Sequence, residues 1–279
     1  MNPNPDLNSG QGQNQLQNSA EQRAVLTNSG IIDARSLEQS HKRLAEIIQP
    51  GMTVLDVGCG TGAITHGIVD MVGSEGMVIG IDNNPDLIEK ACQNYSHISN
   101  LRFEVRDIYS LPYENQFDIV TSARVLQWLS SPFAALEQMT QSAKIGGRIL
   151  VLDYNHEKMD WKPEVPDSMR VFYTAFLKWR SDAGMDNAIA DHLKEMFEAV
   201  GLQNIQVTPQ HELVEHHQPN FQTQTLIWAG VSSFKGEQMV QECYIEEGKR
   251  AKAEHDYRKW VEEEAKSQCM YLLSVEGIK

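Results

Sequence analysis

Gly58, Gly60 and Gly62 stand at alternate positions in "VLDVGCGTGAI", directly after a short apolar run, and Asp56 lies two residues before the first of them. Glycine adopts left-handed backbone freely and puts no Cβ between the chain and a ligand. A strand that turns through such a loop into a helix presents backbone N–H groups and a positive helix end to whatever lies against it. Asp82 follows at the end of the next apolar run, "GMVIGID", where a carboxylate can take the hydroxyls of a ribose. The chemistry this pattern suits is the holding of a nucleotide-like cofactor.

Three kinds of site compete for it. A Walker phosphate loop is excluded, because no Gly-Lys-Ser or Gly-Lys-Thr follows the glycines. A dinucleotide site fits: Gly58, Gly60 and Ala63 satisfy G-x-G-x-x-G/A, and Asp82 stands where the ribose carboxylate belongs. A site for S-adenosylmethionine fits as well, through glycines at i, i+2 and i+4 with an acid two positions earlier. That donor carries a sulfonium, an ammonium and a single carboxylate. No Lys or Arg occurs between Gly51 and Glu89, while Asp56 and Asp82 flank the loop. A helix N-terminus alone can hold a pyrophosphate, so on these residues both readings stand.

Other reactive side chains are scattered. Cys59, inside the loop, reads as a small filler with no base beside it. "HELVEHH" groups His211, His216 and His217, but it follows a strand and lacks helical i, i+4 ligand spacing, so no metal is expected. His156, in "DYNHE" just past a strand, is placed where a base could reach an acceptor hydroxyl; a surface histidine is the plainer reading. Phe172, Tyr173, Phe176 and Trp179 are mainly core-facing by spacing. Tyr173, Trp179 and Arg180 are also the candidate substrate contacts, Arg180 because its planar fork suits a carboxylate.

The elements that must position these residues follow from periodicity. Hydrophobic residues make up 41% of the 279-residue chain and charged residues 22%, the balance of a globular protein with a sizeable core. The first twenty residues are Asn, Gln, Pro and Gly with hardly any large side chain, so a flexible tail is expected over 1–22, with a single domain over 23–279. A tail that folds over bound ligand is the functional alternative. Leu37, Leu44, Ile47 and Ile48 share one helical face, and Pro50-Gly51 stops that helix.

Strands at "TVLDV", "GMVIGID", "LRFEVRD", "FDIVTSA" and "RILVLDY" then alternate with helices, including one from Pro85 to Tyr95. Such βαβ units imply a doubly wound, mostly parallel sheet with helices on both faces. "LQNIQVTPQ" is a sixth strand and "CMYLLSV" a last one able to pair with it. The helical stretches at about 156–190 and 218–266 read as cap insertions over the edge of that sheet.

A net charge of -14 argues against general binding to nucleic acid or anionic lipid. No apolar run reaches membrane-spanning length, and no signal-peptide pattern opens the chain. Four dispersed cysteines without a CxxC pair fit reduced thiols in a cytoplasm.

"VLDVGCGTG" followed by "GIDNNPDLIEKA" resembles the class I S-adenosylmethionine-dependent methyltransferases, and "VRDIYSLPYENQFDIVTSARVLQWL" and "GGRILVLDY" are similar to that family's later motifs. The resemblance spans about Leu44 to Gly201, is nearest to the small-molecule, ubiquinone- and menaquinone-methyltransferase type of core, and extends to "CMYLLSVEGIK" as an antiparallel seventh strand. It implies a Rossmann-like sheet of seven strands and S-adenosylmethionine as cofactor. By it, Asp56, Gly58, Gly60 and Gly62 line the methionine part, Asp82 grips both ribose hydroxyls, and Asn83 lies beside the adenine. Asp107 accepts from the adenine amino group, Ile108 donates its backbone N–H, and the Ala123 carbonyl sits near the ammonium and sulfonium.

"SARVLQWLSSP" is similar to carboxyl methyltransferases acting on malonyl carrier protein or trans-aconitate, whereas His156 suits a hydroxyl acceptor. The expected activity is methyl transfer to a small-molecule acceptor, at oxygen or nitrogen. A donor-binding protein without catalysis and an NAD-dependent oxidoreductase are the alternatives.

Overall fold

β1 (Thr53–Val57), β2 (Met77–Asp82), β3 (Leu101–Val105), β4 (Phe117–Ala123) and β5 (Ala143–Lys162) pair in parallel in the order β3-β2-β1-β4-β5. Alternate side chains of these strands point to opposite faces. Leu55, Ile79, Val120 and Ile149 enter a core on one face, and Val54, Val78, Ile119 and Leu150 a core on the other. Both faces are apolar because helices cover both, as crossover connections require.

These coordinates are a computed structural model, which describes residues 7–24, 33 and 35–279. Its helices, in chain order, are α1 (Leu7–Ala24), α2 (Leu37–Ser40), α3 (Lys42–Ile47), α4 (Ala63–Val72), α5 (Pro85–Tyr95), α6 (Pro132–Ser142), α7 (Asp167–Ser181), α8 (Ile189–Ala199), α9 (Phe221–Thr225), α10 (Ile227–Gln241) and α11 (Glu247–Glu263). Helix α5 has the bounds its sequence predicts. Asn84 caps it by accepting from the N–H groups of Asp86 and Leu87, and Pro85 fills the first turn, where no donor is needed.

The single helix expected before Pro50 is two short ones. His41 lies between them with φ at -147°, outside the helical range. Its ring is fully buried, and Nε2 meets Thr121 Oγ1 at 2.9 Å. Burial, with the Arg124 charge nearby, lowers its pKa to about 3, so the folded protein holds it neutral. Between about pH 6.5 and pH 3 the unfolded chain binds a proton there that the folded chain does not. Stability from this group is therefore present above pH 6.5 and is lost as pH falls. In His41→Gln, equilibrium unfolding measured across that window should depend less steeply on pH than wild type, by up to about 1.4 kcal/mol per pH unit. Parallel curves would show that His41 does not titrate this way.

The sheet has eight strands, one more than expected. β6 (Gln203–Pro209), β7 (Glu212–Glu215) and β8 (Ser267–Ile278) complete it. β8 runs antiparallel to β5 along nearly its whole length, and β6 and β7 follow one another along its other edge. The added strand is "ELVE", within the stretch read as a histidine cluster. Its neighbour His211 accepts at Nδ1 from the Leu272 N–H. β5 also runs past the expected end at Tyr154 to Lys162, because β8 supplies an antiparallel partner there.

The two insertions pack as one cap. α7, α10, α11 and the outer halves of β5 and β8 enclose a second core that includes Phe172, Phe176, Trp179, Trp228, Tyr257 and Trp260. The end of α1 docks on this cap: Ala20 packs on Ala183 and Met185, and Arg23 pairs with Glu242 at 2.5 Å. The Arg23 guanidinium stacks on the rings of Trp179 and Tyr244, and Lys235 Nζ donates to its carbonyl. The end of the expected tail, which was read as 1–22, is thus held at Ala20 and by the adjoining Arg23, through contacts its small and polar composition did not announce. Residues 1–6 of that expectation lie outside the described residues.

Candidate active site

Gly58, Gly60 and Gly62 all have positive φ, and the turn they make is held from below by Ile81, whose carbonyl accepts from the N–H groups of Gly58 and Cys59. Two of these glycines also make room for the protein itself. A Cβ at Gly58 would lie 2.3 Å from Val125 Cγ2, and one at Gly62 would lie 2.6 Å from Phe103 Cζ. Asp56 is buried beneath the loop and accepts from Thr65 Oγ1 at 2.6 Å, which ties the end of β1 to α4. Burial raises its carboxyl to about 6, against the bond from Thr65.

Asp82, at the end of β2, receives the Gly60 N–H on Oδ2 and the Asn84 N–H on Oδ1, each at 3.0 Å. One carboxylate therefore sets both the glycine loop and the start of α5. Burial raises its pKa, and the backbone N–H groups oppose that rise.

An open cleft of about 560 Å³ begins at these groups. Gly58, Gly60, Asp82, Asn83, Ile108 and Ala123, six of the expected cofactor residues, line it together. They come from the carboxyl ends of β1, β2, β3 and β4, the edge where open α/β sheets bind ligands. Three others do not line it. Asp56 is under the loop, Gly62 is the N-cap of α4, and Asp107 is exposed with Oδ1 receiving the Tyr109 N–H. Asp56 and Gly62 shape the loop from behind, and Asp107 shapes the turn that offers Ile108.

The expected substrate and base residues lie elsewhere. Trp179 and Arg180 are fully buried, and Tyr173 and His156 are nearly so, all within or against the cap core. Trp179 Nε1 donates to Glu242, and Tyr173 OH donates to the His156 carbonyl. Arg180 donates to Asn187 Oδ1 and to the Gln127 carbonyl, both at 2.8 Å, and stacks on the Trp128 ring at 4.6 Å. Desolvation lowers its pKa to about 10. His156 meets Gln127 Oε1 through Nε2 at 2.5 Å, and its ring is held among Tyr154, Phe176 and Trp228. Burial and the Arg180 charge push its pKa well down, so it is a neutral, engaged ring and not an exposed base.

His156 and Arg180 are both bonded to Gln127, and Tyr173 to the His156 carbonyl; Trp179 is tied to Glu242 instead. Gln127 joins His156 and Arg180 to the turn after β4, since its N–H also donates to Asp153 and its side chain to the Arg124 carbonyl. The cleft is lined there by Arg124, Val125, Trp128 and Leu129, with Arg35 close to Arg124 and with Glu21 and Gln22 of α1 also in its lining. Of these, only Glu21 and Gln22 fall in a stretch, the tail, whose sequence reading included folding over ligand as an alternative. "SARVLQWL" carried a signal, because residues just past a strand's carboxyl end face the ligand edge. Arg124 adds another: its φ of 64° is left-handed, a conformation a bulky side chain adopts at some cost. Nothing in the unpatterned stretch around Arg35 marks it.

Residues 48–266 match the family model described as a methyltransferase domain. The chain belongs to that family and is an S-adenosylmethionine-dependent methyltransferase. Among relatives, it is 30% identical to a demethylmenaquinone methyltransferase of Staphylococcus haemolyticus over 172 residues, covering 57% of this chain and 72% of that one. The YcgJ protein of Bacillus subtilis superposes with a TM-score of 0.58 at 17% identity, over 87% of this chain and 98% of that one. A phosphoethanolamine N-methyltransferase of Haemonchus contortus gives 0.57 at 14% identity, over 95% and 60%. The two structures bear on the fold alone, and both share this one.

The cleft suits the cofactor. A carboxylate stands at the end of β2, and Gly58, Gly60 and the apolar Ile81 and Leu87 line the cleft beside it. Among the described residues, no helix is long and apolar enough to cross a membrane.

Proposed function

We propose that this enzyme methylates a small-molecule acceptor, at oxygen or nitrogen, in the cleft between the glycine loop and the turn after β4, and that it works in the cytoplasm. The observation that carries this is the continuity of one cleft from Asp82 and Asn83 at one end to Arg35, Arg124 and Trp128 at the other. Its volume is within the range of small-molecule sites. The similarity to a demethylmenaquinone methyltransferase supports a small-molecule acceptor. The free cysteines, Cys59, Cys92, Cys243 and Cys269, support a reducing compartment.

S-Adenosylmethionine supplies an activated methyl group whose transfer removes positive charge from sulfur. The chain's task is then to align and to keep water out. Asp82 and Asn83 would hold the nucleoside, the Ile108 N–H would serve the adenine, and the Ala123 carbonyl would serve the ammonium. Val125, Trp128 and Leu129 form an apolar wall on which charge dispersal is favoured. His156 takes no proton from the acceptor in this reading, because its ring is bonded to Gln127 behind that wall.

Isothermal titration with S-adenosylmethionine, S-adenosylhomocysteine and NAD is the test. The first two should bind and NAD should not. Tight binding of NAD alone would return the loop to the dinucleotide reading. Donor binding without methyl transfer to any member of a broad acceptor panel would favour a donor-binding protein.

A further inference from the structure

At the end of the cleft away from Asp82, two guanidinium groups share one carboxylate. Arg124 is buried; its Nε donates to Tyr154 OH at 2.9 Å, and its Nη2 donates to the Ser40 carbonyl at 3.0 Å and to Glu212. Its Nη1 is buried with no partner among the described residues. Arg35 lines the same cleft and donates to no described residue. Burial lowers the pKa of Arg35 and the Arg124 charge lowers it further, against Tyr154, Glu212 and Asp153, while Tyr154 and Glu212 hold the pKa of Arg124 above its ordinary value in spite of burial.

The nearby Asp153 does little to offset them. Its oxygens already accept from the Gln127 and Tyr154 N–H groups, and burial raises it to about 7. One paired carboxylate, Glu212, set against two guanidiniums leaves positive charge in excess there, and a ligand of opposite sign would offset it. In a chain of net charge -14, such a local excess of cations is notable.

Position decides which ligand. In the sheet, β1 separates β2, which carries Asp82, from β4, and β5 lies beyond β4. Neighbouring strands are about 4.8 Å apart, so Arg124 begins roughly 10 Å from the ribose end. Its guanidinium then extends further, to Tyr154 on β5 and Glu212 on β7. A donor laid from Asp82 to Ala123 ends where these guanidiniums begin.

We propose that Arg35 and Arg124 form an anion subsite at the acceptor end of the cleft, and that the methyl acceptor carries a carboxylate or phosphate that docks there. This rests on the small-molecule methyltransferase reading above. A planar two-pronged donor suits either anion.

The test uses full-length protein saturated with S-adenosylhomocysteine and followed by thermal unfolding. Sodium malonate and inorganic phosphate are the probes, with sodium chloride at matched ionic strength as the control. At least one probe should raise the melting temperature above the control. Arg35→Gln should lose that rise while binding S-adenosylhomocysteine within about twofold of wild type. Arg35→Lys, which keeps the charge but not the fork, should retain a smaller rise, and it serves alone if the glutamine variant does not fold. No rise in wild type, or an undiminished rise in both variants, overturns the subsite. A tenfold loss of S-adenosylhomocysteine affinity in Arg35→Gln, with 5′-methylthioadenosine binding unchanged, also overturns it, by giving Arg35 to the donor's own carboxylate. If wild type fails to bind S-adenosylhomocysteine at all, the methyltransferase reading fails first, before any probe is added.

Discussion

Asp82→Ala is expected to weaken binding of S-adenosylhomocysteine at least tenfold by isothermal titration. Two charge-assisted hydrogen bonds to the ribose go with the carboxylate, each worth about 1.5–3 kcal/mol, and 1.4 kcal/mol is a factor of ten. The structure adds a second cause. Asp82 also receives the N–H groups of Gly60 and Asn84, so its loss releases the glycine loop and the entry to α5 together. Asp82→Asn separates the two, because its single oxygen can keep one of those N–H groups while the charge is gone. It should bind more weakly than wild type and more tightly than the alanine variant. Unchanged affinity in a folded Asp82→Ala protein would remove Asp82 from the site and leave the nucleoside end of the cleft unassigned.

Trp179→Ala is expected to lower stability by about 3–5 kcal/mol in chemical denaturation, the range for emptying a fully buried aromatic site. The indole packs in the cap core, donates to Glu242, and lies under the Arg23 guanidinium. Its loss therefore frees the end of α1 as well. Trypsin should then cut after Arg23 sooner than in wild type, under conditions where the rest of the chain stays folded. Trp179→Phe keeps most of the volume and should recover much of the stability. If Trp179→Ala unfolds like wild type and slows turnover alone, the side chain meets substrate and its buried position here is not the working one.

Much of the sheet could be read from the chain because its signals are local. Val54, Leu55 and Val57 are buried whatever lies above them, and the turn to α4 needs glycine for the left-handed backbone and for the room that Val125 and Phe103 occupy. Asn84 and Pro85 specify the start of α5 within one turn. The cofactor residues that line the cleft share one simple property. Each lies at or just past the last residue of a parallel strand, and strand ends are visible in the alternation of apolar runs.

Trp179 and Arg180 show what such reasoning leaves open. Helical spacing groups them with Phe172 and Phe176, but a shared face does not say whether it meets a substrate or α11 and β8. Here it meets the cap core, and the charge on Arg180 is held by Gln127 and Asn187, partners that no spacing rule relates to it. His156 was placed past a strand that ended at Tyr154; the antiparallel support of β8 lengthened that strand and took the ring inside. Glycine spacing and the strand ends, Asp82 among them, are set by residues close in sequence, where backbone sterics and periodicity act. The docking of α1, the face on which the cap closes, and the meeting of Arg35 with Arg124 depend on segments far apart in the chain, and only packing in three dimensions decides them.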